Sequence, residues 1–166
     1  VTADSVRNEI CKAENLLSDE TSDFYAAEEG CKTPEITFLL DVEKTFNAFI
    51  LEEVIELSHR VTGFEVSAEI GGEWKQLYKG ECIGYRCAQY FPTVNASKVK
   101  IRIIDAIDSP VLRKFSLHKF DEALLLEEKY EKSEKNILEN GTAVVSIDGS
   151  CADINFGGII PFNFIT

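Results

Sequence analysis

The sequence predicts an all-β protein built as an antiparallel β-sandwich. Residues 35–119 read as a succession of short strands separated by turn residues, which is typical of sandwiches. The same segment contains no apolar pattern with the 3.6-residue period of a helix. A doubly wound α/β fold is therefore not expected, because its strands alternate with helical segments.

The first three predicted strands differ in how clearly apolar and polar residues alternate along them. Glu35–Leu40 is a short apolar run that follows a proline, and Phe46–Ile55 is rich in β-branched and aromatic residues. Phe64–Ile70 alternates strictly, as a half-buried strand does. Its four predicted inward residues are Phe64, Val66, Ala68 and Ile70.

The strands that follow are marked by turns and by further alternation. Gly71-Gly72 is a strong two-residue hairpin signal, so Trp74–Tyr78 is predicted to pair with the preceding strand. Lys98–Ile103 places Val99, Ile101 and Ile103 on its inward face, and Leu112–Leu117 forms one more strand. These elements complete one sandwich domain over residues 1–121.

Residues 122–166 are predicted to be a C-terminal extension or the start of a further domain. Asp121–Asn140 is dense in Glu and Lys at i,i+4 spacing, which fits a helix or a solvated connector. Thr142–Ile147 and Cys151–Phe156 flank Asp148-Gly149, which predicts a hairpin. The apolar stretch Ile159–Ile165 follows it.

Composition excludes two classes of partner. The chain carries 17 Lys and Arg against 29 Asp and Glu, a formal net charge of −12. Proteins that bind nucleic acids or anionic membranes do so through clustered Lys and Arg residues, so this acidic chain is not expected to bind either. No apolar run approaches the roughly 20 residues of a membrane span. The sequence has no Met among its 166 residues, so we expect a fragment or a processed product.

Catalytic and metal-binding motifs are not apparent. The sequence has two histidines, His59 and His118, and no GxSxG, HExxH or glycine-rich phosphate loop. Its five cysteines form no CxxC pair, so a zinc site is not expected. Cys82 and Cys87 could meet across a tight turn, which the sequence leaves open. We expect that the chain is not an enzyme in its own right.

The single tryptophan, Trp74, has two interpretations. Sugar-binding modules place aromatic faces against the apolar side of a sugar ring. However, the position of Trp74 in a hairpin directly after Gly71-Gly72-Glu73 favours a packing role, in which a buried indole mainly supplies apolar area. We therefore predict that it belongs to the core.

Several short segments keep one order and spacing along the chain. They are Phe46–Glu53, His59–Val61, Phe64–Val66, Glu73–Lys75, Ile83–Arg86, Ala96–Val99 and Ile101–Ile103. This set resembles the discoidin-like domain (coagulation factor 5/8 type C, galactose-binding-like) found C-terminal to the catalytic barrel of many α-L-fucosidases of glycoside hydrolase family 29. The resemblance covers roughly residues 10–120 and is most specific at Ile83-Gly-Tyr-Arg86.

The resemblance implies a jelly-roll β-sandwich, galactose-binding-domain-like, without catalytic residues. Two roles follow from it. The chain is expected to be a carbohydrate-binding module that targets an α-L-fucosidase to glycans containing galactose or fucose. Alternatively, it is a structural accessory domain that packs on the catalytic barrel and binds no sugar. Either role fits a secreted or cell-surface protein whose partners are a glycan and the catalytic domain of the parent enzyme.

The resemblance also bears on calcium. The family's early loop, matched by Asn15–Tyr25, usually holds a structural Ca²⁺ through an Asp at the place of Ser18 and a Thr at the place of Asp23. A Gly is usual where Asp19 stands, and a Glu where Lys114 stands. Calcium requires several hard oxygen ligands, so these changes weaken the site. We expect no cofactor, and we predict that Lys114 pairs with Asp19 or Asp23 in place of the ion.

Five residues are candidates for contact with a glycan. His59 and Arg60 lie in the loop before the Phe64 strand, and Tyr85, Arg86 and Tyr90 follow the Trp74 hairpin. Arginine offers planar donors to hydroxyls or carboxylates. Tyrosine offers a stacking face with a polar edge. The alternative for Tyr85 and Arg86 is a structural role or contact with the catalytic domain.

Overall fold

The computed structural model describes residues 1–121, 142–147 and 150–155. The chain consists of two units, Val1–Glu122 and Ala123–Thr166. Short 3₁₀ helices span Ala13–Leu17 and Ile55–Leu57 in the first unit, and its other described elements are strands, as the all-β prediction requires. The strands are β1 Thr2–Ala3, β2 Tyr25–Ala26, β3 Glu35–Glu53, β4 Val61–Ile70, β5 Glu73–Gly80, β6 Cys87–Ala106 and β7 Val111–His118.

The strands pair antiparallel in the order β2-β7-β3-β6-β4-β5, and β1 pairs with β3. The long strands β3 and β6 pair in three stretches, with register shifts between Phe46 and Ala48 of β3 and, more marked, between Leu39 and Lys44. β4 pairs with the second half of β6, whereas β7 pairs with the second half of β3. The two long strands therefore pass from one layer of the sandwich to the other at this irregularity, as strands do at sandwich corners.

The merging of two predicted strands into β3 is a correction to the sequence analysis. Glu35–Leu40 and Phe46–Ile55 were expected as separate strands, but the backbone stays extended from Glu35 to Glu53. The connecting residues 41–45 are exposed and mostly polar, which resembles a loop in sequence. They instead form the outside of the corner, where β3 has more residues than β6.

Aromatic contacts show that the two layers face each other. The ring centroid of Phe49 on β3 lies 5.5 Å from that of Tyr78 on β5, although β5 is three strands away in the pairing order. In a flat sheet three strand spacings are roughly 14 Å. Phe38 of the first layer likewise contacts Phe115 of the second at 4.7 Å. The sheet therefore folds over one shared apolar interior.

The strictly alternating strands bury the side chains that the sequence predicts. Ile70, at the end of its strand, is only partly buried. The hairpin after it is also confirmed, since Ile70 pairs with Glu73. Gly71 and Gly72 have φ of 63° and 84°, the positive angles that a type I′ turn needs at both central residues. The fully buried members are Phe64, Val66, Ala68, Val99, Ile101 and Ile103.

The prediction that Trp74 belongs to the core is wrong. The residue is 41% exposed, and the Lys100 ammonium lies 4.3 Å from the centroid of its ring. The register explains the error, because Trp74 pairs directly with Glu69, which faces outward on β4. Side chains directly opposite each other share one face of a sheet, so Trp74 lies on the outer face of the first layer.

The second unit contains the predicted hairpin. β8 Thr142–Ile147 and β9 Ser150–Asn155 pair antiparallel, with Ile147 opposite Ser150. The predictions for residues 122–141 and 159–165, a charged connector and an apolar stretch, fall outside the described residues. Within the described ranges, no helix has the length and apolarity needed to cross a membrane.

Candidate functional site

The outer face of the second layer carries three rows of side chains. Glu52 lies opposite Lys114, Ile50 lies opposite Ser116, and Ala48 lies opposite His118. On the other side of β3, Ala48 also pairs with Tyr90 of β6. Alternation along the three strands therefore brings charged, hydroxyl, imidazole and phenol groups onto one surface.

An open groove of about 480 Å³ runs over this surface. Its volume is within the range of small-molecule sites, roughly 300–1,000 Å³. We call it the second-layer groove. Its walls combine apolar side chains with charged and polar ones. The lining residues are Leu17, Asp19, Ile50, Glu52, Arg86, Lys114, Phe115, Ser116 and His118.

Each cation in the groove has a carboxylate partner. Arg86 Nε donates to Glu52 Oε1 at 2.7 Å, and this hydrogen bond to the carboxylate raises the pKa of the guanidinium. Lys114 pairs with Asp19, and the hydrogen bond from its ammonium lowers the pKa of that carboxyl. The groove therefore offers both donors and acceptors with little local excess of charge.

The imidazole of His118 completes the polar lining. Its Nε2 lies 2.8 Å from Ser116 Oγ, and its ring lies beside that of Phe120. Tyr90, one of the predicted residues, is exposed and makes an edge contact with the same phenylalanine. The tyrosine ring thus lies at the histidine end of the groove face.

Arg86 and Tyr85 occupy the other end of this face. Arg86 lines the groove. The adjacent Tyr85 is 61% exposed, and the Arg86 guanidinium carbon lies 5.8 Å from its ring centroid. Of the five predicted residues, Arg86 lies in the groove, while Tyr85 and Tyr90 are close to it.

His59 and Arg60 are located in the end loops instead. The Arg60 side chain donates to the carbonyl oxygens of Leu57 and Ser109 and forms an ion pair with Asp108. These bonds join two loops, so most of its donors are already used. His59 is largely exposed, and its Nδ1 lies 3.8 Å from Glu53 Oε2.

Glu53, His59 and Cys82 place one potential metal-ligating atom each within 4.8 Å of one another. The Glu53 carboxylate is already bound by protein, since its Oε1 accepts the backbone N–H groups of Arg60 and Val61. Its Oε2 accepts the N–H of Gly84. The carboxylate is therefore satisfied by three backbone donors, and its main effect is to tie the loops together.

The loop that the resemblance associates with calcium does not fit the ion. The predicted pair between Lys114 and Asp19 is present. Ser18 Oγ donates to Asp23 Oδ2 at 2.7 Å, so this carboxylate is bound within the loop. An ammonium group next to Asp19 repels a divalent cation at the distance where attraction to the carboxylate would be needed.

We therefore expect no tight calcium binding by the wild-type chain. Titration calorimetry with CaCl₂ should show no binding heat, and the melting temperature should not rise with added calcium. Lys114→Glu removes the ammonium and adds oxygen ligands, so this variant should bind calcium more tightly than the wild type. Tight calcium uptake by the wild-type chain contradicts the account.

Glu52, Ser116 and His118 could not be recognised from the sequence as members of one site. The outward positions of β7 can be read from the inward Phe115 and Leu117. The pairing of β7 with β3 and of β3 with β6 cannot be read this way, because it joins residues at least 36 positions apart in the chain. The sequence therefore indicates which side chains of β7 face outward, but not which strands lie beside them.

Comparison with known proteins supports the resemblance to α-L-fucosidases. No family model matches the chain. It is 28% identical over 151 residues to a protein of Oryza sativa subsp. japonica named as an alpha-L-fucosidase, covering 89% of this chain but 29% of that protein. A crystal structure named as an alpha-L-fucosidase from Bacteroides thetaiotaomicron matches with a TM-score of 0.69 and 29% identity, over 71% of this chain and 27% of that one.

The fold is also shared with a carbohydrate-binding module. Chitosan-binding module 2 of a chitosanase/glucanase from Paenibacillus sp. IK-5, solved with chitotriose, matches with a TM-score of 0.64. The identity is 13%, and the match covers 70% of this chain and 93% of the module. The chain thus shares the fold of this module and spans less than a third of the fucosidases that it resembles.

Proposed function

We propose that the chain is a non-catalytic accessory domain of an α-L-fucosidase that binds glycans through the second-layer groove. Two observations together carry the proposal. The chain matches only 29% of the length of a fucosidase, and it shares its fold with a chitosan-binding module. Catalysis then belongs to the remaining part of the parent enzyme. The domain raises the local concentration of substrate without new chemistry.

The chemistry of the groove fits a neutral sugar. Sugar hydroxyls both donate and accept hydrogen bonds, and the groove offers Arg86 and Lys114 as donors beside the acceptors Glu52 and Asp19. An anionic sugar would meet two carboxylates that are already close to the cations. Ile50 provides an apolar side chain for a C–H surface of the ring. Glycans containing galactose or fucose are neutral ligands of this kind.

The proposal also implies where in or outside the cell the protein acts. A domain that brings a fucosidase to glycans acts where such glycans are found, in a secreted or cell-surface protein. Its second partner is the catalytic domain of the same enzyme.

A specific surface favours a structural role as the second candidate. Ile55, Leu57 and Ile107 are exposed apolar residues. Arg60 connects two of them at one end of the sandwich, because its Nε donates to the carbonyl oxygen of Leu57 and its own carbonyl oxygen accepts the N–H of Ile107. Such residues could be covered by the catalytic domain. In that case the domain stabilises its enzyme, and the groove binds no sugar.

Titration calorimetry with L-fucose, D-galactose and lactose tests the groove directly. Arg86→Ala removes a donor that reaches the open side of the groove, so we expect at least ten-fold weaker binding, at this site, of the sugar that the wild type binds there. Arg102→Ala is the matched control, because Arg102 forms a similar exposed ion pair with Glu65 on the other layer. Equal binding by the wild type and Arg86→Ala argues against the groove, and no binding of any sugar favours the structural role.

A further inference from the structure

The outer face of the first layer carries the only tryptophan of the chain in an ordered setting. Trp74 lies opposite Glu69, whose Oε2 is 2.8 Å from Lys98 Nζ. Lys100 contacts the indole and also pairs with Glu35 at 3.0 Å. We call Trp74, Glu69, Lys98 and Lys100 the indole platform.

The indole has one covered face and one open face. The Lys100 ammonium lies 4.3 Å from the ring centroid, and the lysine side chain is only 20% exposed. The lysine is therefore held between the ring and the sheet. Trp74 remains 41% exposed, so a large part of the indole beyond the lysine contact is open to solvent.

The lysine contact restrains the orientation of the ring before any ligand arrives. A cation against an indole contributes about 0.5–1 kcal/mol at an exposed site. Lys100 is itself restrained by its ion pair with Glu35. A ligand that stacks on Trp74 thus loses little affinity to the ordering of the side chain, which is the advantage of a preorganised site.

The polar groups beside the ring indicate a neutral ligand. Lys98 and Lys100 are each paired with a carboxylate, so the platform has no excess charge although the chain has a net charge of −12. Glu69 and Lys98 are both partly exposed. They offer an acceptor and a donor at the edge of an apolar surface. Pyranose rings have this complementary arrangement, with a C–H face bordered by hydroxyls.

From this arrangement we propose that the indole platform is a second carbohydrate site, at which a neutral pyranose stacks on the open face of Trp74. The platform lies on the first layer, whereas the groove lies on the second. Since the layers face each other across the core, their outer faces point in opposite directions. A short oligosaccharide cannot contact both sites, so each site takes a separate glycan branch, and their combined binding benefits from multivalency.

The platform is independent of the second-layer groove and can be tested separately. Trp74 is the single tryptophan, so intrinsic tryptophan fluorescence reports on this site. We expect L-fucose, D-galactose or lactose to change the emission in a saturable way. The same dissociation constant should be obtained for Arg86→Ala, which alters the groove alone.

Variants of the tryptophan complete the test. Trp74→Ala should weaken the tryptophan-linked binding at least ten-fold by calorimetry, and Trp74→Phe should retain part of it because a phenyl ring still stacks. Circular dichroism checks that both variants fold. Unchanged emission with a sugar that calorimetry shows to bind overturns the platform and leaves the groove intact. Loss of self-association in Trp74→Ala, with no effect on sugar binding, overturns it in favour of a second copy.

Discussion

Replacing Glu53 by alanine should lower the free energy of unfolding by about 3–5 kcal/mol. The carboxylate is fully buried and accepts the backbone N–H groups of Arg60, Val61 and Gly84 at 2.9–3.1 Å. Each buried donor that loses its acceptor costs roughly 1–3 kcal/mol. Urea unfolding of the wild type and the variant measures the difference.

Two further substitutions make this result specific. Glu53→Gln keeps one carbonyl oxygen as an acceptor, so its loss of stability should be smaller than that of Glu53→Ala. Glu65→Ala removes a carboxylate from a partly exposed pair with Arg102 and should cost no more than about 1 kcal/mol. If Glu53→Ala is no more destabilising than Glu65→Ala, the carboxylate does not hold the end loops together.

Replacing Phe49 by alanine should lower the free energy of unfolding by about 3–5 kcal/mol, the usual cost of deleting a buried aromatic ring. Phe49 is fully buried, and its ring contacts those of Phe64, Tyr78, Phe91 and Phe115. These neighbours belong to both layers, so the cavity opens at their junction. Denaturant unfolding monitored by circular dichroism gives the value.

The matched control for Phe49 is Leu39→Ala. Leu39 lies on the same strand but is exposed, so its truncation should change stability by no more than about 0.5 kcal/mol. Phe49→Leu should fall between the two, because it leaves a smaller cavity. A cost for Phe49→Ala below about 1 kcal/mol would mean that the layers do not share one interior.

Local signals predicted the parts of the fold that depend on neighbouring residues. The period-2 pattern of Phe64–Ile70 identified its buried face, because one face of that strand meets the core. Gly71-Gly72 identified the hairpin, because few residues other than glycine adopt positive φ at both positions of a tight turn. Each of these features is decided within about ten residues.

Features that depend on distant pairing were not predicted. The corner of β3 consists of exposed, mostly polar residues, and only its pairing with β6 shows that the strand continues. Trp74 was assigned to the core because local sequence does not reveal which face of a hairpin meets the interior. Its pairing with the outward-facing Glu69 places Trp74 on the outer face of the sheet.

The candidate site illustrates the same division. Arg86 and Tyr90 were selected from their residue types and positions, and Arg86 lies in the groove. Arg60 was selected in the same way, but its donors join two loops. The difference depends on the carbonyl oxygen of Ser109, 49 positions away in the chain. Residue chemistry thus suggests candidates, and long-range structure decides whether they are free to bind.

The central proposal is that the second-layer groove binds a neutral glycan. An NMR titration of the ¹⁵N-labelled chain with L-fucose, D-galactose and lactose tests it most directly, because each amide reports on its own location. We predict saturable shifts at Glu52, Arg86, Ser116 and His118 with at least one of these sugars. Spectra that stay unchanged at all four residues, with every sugar up to its solubility limit, would contradict the proposal.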